Sequence, residues 1–145
     1  MSHPDLGELL NALLPMAKML LEKQGEFYPI GAIMLSDAEI RHVGAGIEGD
    51  EHPLSQSLID LLTENYKQEA AKGRLRAAGI CYDALTIPPG KHLKQDAICC
   101  VLEHWSGEAF SVFLPYVKLN SGNLQYDQLF ASERMLQFFC EIPKS

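Results

Sequence analysis

DAICCVLEHWSGEAFSVFLPYV, residues 96–117, decides the fold. Two runs rich in β-branched and aromatic residues flank Ser106-Gly107, a short-range hairpin signal. Apolar side chains occupy both parities of each run. Ala97, Cys99 and Val101 alternate with Ile98, Cys100 and Leu102, and Val112 and Leu114 alternate with Phe113. A strand that is apolar on both faces sits inside a sheet with something packed on each side. The hairpin is therefore expected at the centre of the core, with Cys100, Leu102 and Phe113 buried.

Working outward, residues 75–87 read as a strand that Pro88-Pro89-Gly90 ends before the 91–95 loop. Upstream, residues 53–72 read as a helix with Pro53 in its first turn, a buried face of Leu54, Leu58, Leu61, Leu62 and Tyr66, and Gly73 as its stop. Residues 28–35 and 39–44 form a second hairpin, and the polar return strand, with Glu39 and Arg41, belongs at a sheet edge. The first helix covers residues 5–23, with Asp5 as N-cap and Glu8 at the capping-box spacing. Pro15 interrupts its leucine stripe, so a kink or two short helices is expected. After residue 120, residues 124–130 suggest a short strand and 132–140 a helix or a strand. The expectation is a single α+β domain over residues 1–145, with a central antiparallel sheet of about five strands and helices packed on it. Its order is α-β-β-α-β-β-β followed by α or β.

Composition narrows the function classes. Apolar residues make up 47% and charged residues 21% of the 145, which is ordinary for a globular chain. No apolar run approaches the ~20 residues of a membrane span, and the N-terminal stretch lacks the basic start of a signal peptide. A cytoplasmic, bacterial setting is expected, with the four cysteines as reduced thiols. Net charge is −7, which speaks against nucleic acid and permits a basic protein partner.

The element order resembles that of profilin-like and roadblock-type domains, in which an antiparallel sheet carries helices on one or both faces. The strings GEFYP at residues 25–29 and VFLPY at 112–116 are similar to segments of small, uncharacterised bacterial cytosolic proteins. Neither resemblance implies an activity.

The candidate site residues are dispersed. Glu48, Asp50 and Glu51 form an acidic loop suited to a basic partner. Asp83 lies in an otherwise apolar strand, where a carboxylate either faces solvent or needs a partner. His104 and Trp105 sit at the hairpin turn beside Glu103. Cys100 and His104 are about 13 Å apart along a strand, too far for a thiol–base dyad. The loop PPGKHLK is basic but lacks the context of a phosphate loop. None of the five histidines has a recognised metal spacing, so no metal, cofactor or catalytic residue is assigned. These features point to a non-catalytic protein-binding module, of the immunity or adaptor kind. The alternative is a small enzyme assembled from Asp83, Glu103 and His104. The leucine-rich first helix and the two-sided sheet also make a homodimer an expected way to cover apolar surface.

Overall fold

A computed structural model describes residues 3–44 and 54–139. The hairpin at residues 96–117 becomes β4 (Gln95–His104) and β5 (Ala109–Lys118), closed by a Gly107 N–H to His104 carbonyl bond of 3.0 Å. Gly107 has φ 108°, which a residue with a Cβ rarely adopts. The other elements are α1 (Pro4–Gln24), β1 (Ile30–Leu35), β2 (Ile40–Val43), α2 (Ser55–Ala71), β3 (Leu75–Thr86), β6 (Leu124–Tyr126) and β7 (Phe130–Glu133). Among the described residues these strands make one seven-stranded antiparallel sheet of order β2-β1-β3-β4-β5-β6, with β7 also paired to β5. The count exceeds five because the tail supplies two short strands along one edge of β5. The 124–130 stretch is split between them, and residues 134–139 form no helix or strand.

The α+β architecture follows from the two-sided hairpin. Helix α1 covers one face of the sheet with Leu6, Leu9, Leu13, Ala17 and Leu21. Helix α2 and Phe138 and Phe139 of the tail cover the other, against Ala78, Ile80, Cys99 and Val101. Strand β2 lies at the edge, as its polar residues implied. No described helix is long and apolar enough to cross a membrane.

Four local expectations are corrected. Pro15 does not break α1, which runs unbroken over 21 residues. Its ring lies on the exposed face, where the carbonyl it leaves unbonded can meet water. His3, not Asp5, caps α1: its Nδ1 accepts the Asp5 N–H at 3.1 Å. Cys81 and Cys100 are not free thiols. They face each other in the β3–β4 register with Cα atoms 4.2 Å apart and are joined by a disulfide, while Cys99 on the opposite face is a free thiol. The bridge removes the thiol-based support for a cytoplasmic setting. Finally, the buried face of α2 is Leu58, Leu62, Tyr66 and Ala70; Leu54 and Leu61 point outward, and Phe113 is only partly buried, stacked on Phe130.

The last correction yields a test. Leu58→Ala should cost about 2–5 kcal/mol, whereas Leu61→Ala should stay within about 0.5 kcal/mol. Urea denaturation measures both, and equal losses would mean that the helix is rotated.

Candidate functional site

Glu103 and His104 are consecutive on β4, so their side chains leave opposite faces of the sheet. Both are fully buried. Each clasps a different end of the described chain.

Glu103 holds the tail. Its Oε1 accepts the N–H groups of Gln137 and Phe138 at 2.8 Å, and Oε2 lies 3.3 Å from Arg134 Nη2. Burial pushes the carboxyl upward, and the Phe138 and Gln137 N–H groups and the Arg134 charge oppose that. All the oxygens are occupied by structural donors.

His104 holds the first helix. Its Nε2 lies 2.8 Å from Asp5 Oδ2, and its Nδ1 receives the Ser106 N–H at 3.1 Å and lies 2.7 Å from Ser106 Oγ. The N–H donor fixes Nδ1 as the acceptor, so the proton sits on Nε2 and points at Asp5. The His3 ring stacks on His104 with centroids 4.1 Å apart, and the His3 N–H donates to Glu108 Oε2 at 2.6 Å. Arg76 Nε lies 3.2 Å from the same Asp5 oxygen, and its guanidinium also sits over the Trp105 ring. Burial works to raise the Asp5 carboxyl, but the His104 hydrogen bond and the charges of His3 and Arg76 together hold it below the usual aspartate value. The base is shielded, with His104 2% and Asp5 14% exposed by side chain, while Ser106 and Trp105 are exposed.

His3 Nδ1, Asp5 Oδ2 and His104 Nε2 lie within 4.8 Å of one another, a donor set that suits zinc-like cations. The fit is poor, because His3 Nδ1 already accepts the Asp5 N–H and Arg76 already neutralises the carboxylate. A cation would have to displace both.

The remaining sequence candidates do not join this cluster. Asp83 is exposed on β3 and accepts the Tyr116 hydroxyl at 2.8 Å; burial is the main influence raising its carboxyl, against that bond. It pairs with Ile98, five residues along β4 from Glu103, so Asp83, Glu103 and His104 do not form one site. Glu48, Asp50 and Glu51 lie outside the described residues. Sequence reasoning missed Asp5 and His3, read only as helix start and scattered histidine, and Arg76. Asp5 and His104 are 99 residues apart, and no local spacing joins them. Ser106 was missed as well, read only as part of the turn; the signal that could have found it is a hydroxyl two residues past a histidine in a tight turn, which can reach back to the ring.

Comparison with protein-family models, curated proteins and solved structures returned no match.

Proposed function

We propose that this chain is a protein-binding module, of the kind that serves a bacterial cell as an immunity or adaptor protein. The observation that supports this reading is a group of apolar side chains left in water at one end of the sheet. Leu85 and Ile87 at the end of β3, Leu93 in the loop into β4, and Val117 and Leu119 at the end of β5 are between 44% and 81% exposed. Single exposed leucines are ordinary, but five around one end of three neighbouring strands, with Leu85 and Val117 on opposite faces by the register, make that end of the sheet a candidate contact surface. Lys91, Lys94 and Lys118 lie in or beside these segments, so a partner with apolar anchors and an acidic rim suits them. The net charge of −7, to which Glu48, Asp50 and Glu51 contribute, would favour basic groups elsewhere on the partner.

A photo-crosslinking residue placed at Leu93 tests this in living cells. The expected result is one discrete adduct with a different protein, lost when Ile87→Ser and Val117→Ser are combined. A crosslinker at Glu64, exposed on α2, serves as control. An adduct of twice the chain mass would make this end a homodimer interface instead. Labelling no different from the control would remove the surface from any interaction.

A further inference from the structure

We infer that Ser106 is an activated nucleophile able to accept an acyl group from small carboxylic esters. The inference rests on the turn at the opposite end of β4 from the apolar surface, and is independent of the binding reading. Three side chains stand in line. Ser106 Oγ is 2.7 Å from His104 Nδ1, and His104 Nε2 is 2.8 Å from Asp5 Oδ2. Both separations are within the reach required of a nucleophile, its base and the group that orients the base. The relay is recognised by these roles rather than by chain order; here the serine faces Nδ1 and the aspartate Nε2, the reverse of the usual arrangement.

Protonation agrees with the geometry. The Ser106 N–H donates to Nδ1, so that nitrogen is unprotonated, and taking the Oγ proton requires it to release that N–H from its one lone pair. The imidazolium that forms would face Asp5, itself held by Arg76. Asp5 is a positioning residue here; Ser106 and His104 are the groups that would touch the substrate. Burial divides the work, with the base sheltered and the nucleophile in solvent, where a small ester can reach it.

In the reaction, Oγ attacks the ester carbonyl carbon and its proton passes to Nδ1. The bond from that carbon to the leaving oxygen breaks, and the departing alkoxide takes the proton back from Nδ1. Water then attacks the acyl-serine with the same base, releasing the carboxylic acid. The sum is ester plus water giving acid plus alcohol.

The turn offers the oxyanion little help. The Ser106 N–H is committed to His104 Nδ1, and the Gly107 N–H to the His104 carbonyl. A missing oxyanion donor costs roughly 10²–10³ in rate, so both acylation and hydrolysis of the acyl-serine are expected to be slow. Positioned base catalysis contributes roughly 10²–10⁴, which sets the contrast to look for.

The probe is p-nitrophenyl acetate on the folded full chain, read by p-nitrophenolate release and by peptide mass mapping of the acetyl group. Acetyl should appear on Ser106 about 100-fold faster than on Ser121, an exposed turn serine without a neighbouring histidine ring. Ser106→Ala should abolish that label and leave background labelling of lysines unchanged. Asp5→Asn should slow acetylation of Ser106 while circular dichroism shows the helix and sheet intact. Ser106 labelling no faster than Ser121 in the wild-type protein would overturn the inference and leave the triad as a clasp between helix and hairpin.

Discussion

Glu103→Ala is expected to lower folding stability by about 3–5 kcal/mol, the cost of removing one partner from a buried charge pair. The side chain has no solvent exposure, and the carboxylate receives two backbone N–H groups of the tail besides Arg134. Alanine would strand those donors and leave a guanidinium that is only 14% exposed without its counter-charge. Phe138 and Phe139 would lose the anchor that seats them on the second face of the sheet. The raised carboxyl gives this site a pH signature. The folded state holds the Glu103 proton more tightly than the unfolded chain does. The part of its contribution that is linked to protonation is therefore fully present below the ordinary glutamate range and is lost as pH rises through the folded value, while the N–H bonds and the Arg134 pair remain. Glu103→Gln keeps the volume and one acceptor oxygen but cannot ionise. It should cost less than alanine, and its stability profile should lack that decline. Urea unfolding across a pH series reads both variants. A loss under about 1 kcal/mol for Glu103→Ala would show that the tail is not clasped there.

The parts of the fold that were legible in the sequence are those set by local pattern. The apolar parity of residues 96–117 located the central hairpin, and helical spacing located α1 and α2; that the two helices cover opposite faces came only from the structure. Where a competing tertiary effect decides, local pattern misled. Pro15 reads as a break, yet one lost hydrogen bond is tolerable when the ring faces water and four leucines of α1 are buried. Leu61 has the composition of a core residue, but α2 needs only the Leu58–Leu62–Tyr66–Ala70 stripe against β3. Cys81 and Cys100 are ordinary strand cysteines until the register sets them face to face. The site was harder still. Glu103-His104 reads as a polar dipeptide next to a turn, suited to solvent. Its burial depends on Asp5, 99 residues before His104, and on Gln137 and Phe138, 34 and 35 after Glu103. Such partners meet only once the sheet brings both ends of the chain to β4, and that step leaves no periodic trace in sequence.

Gly31→Ala is expected to cost about 3 kcal/mol, at the upper end for overpacking a core, and the culprit should be a single atom. A Cβ on Gly31 would fall well inside contact distance of Tyr66 Oη, with Leu62 Cδ2 and Tyr66 Cζ at 3.4 Å. The hydroxyl cannot swing aside cheaply. Tyr66 is fully buried, donates to the Gly79 carbonyl at 3.0 Å, and packs edge-on against Phe138 with centroids 5.1 Å apart. A tyrosine has few rotamers, and each alternative here would break the hydrogen bond and unseat the tail. Removing the oxygen should therefore relieve most of the clash. Tyr66→Phe alone should cost about 1 kcal/mol for the lost hydrogen bond. Adding Gly31→Ala to it should then cost far less than in the wild-type background, so that the double variant is more stable than Gly31→Ala by itself. A coupling of at least about 1 kcal/mol in the thermodynamic cycle is the expected outcome. Additive losses would mean that Gly31 is constrained by its backbone or by Leu62, and that the hydroxyl of Tyr66 is not what keeps a side chain out of β1.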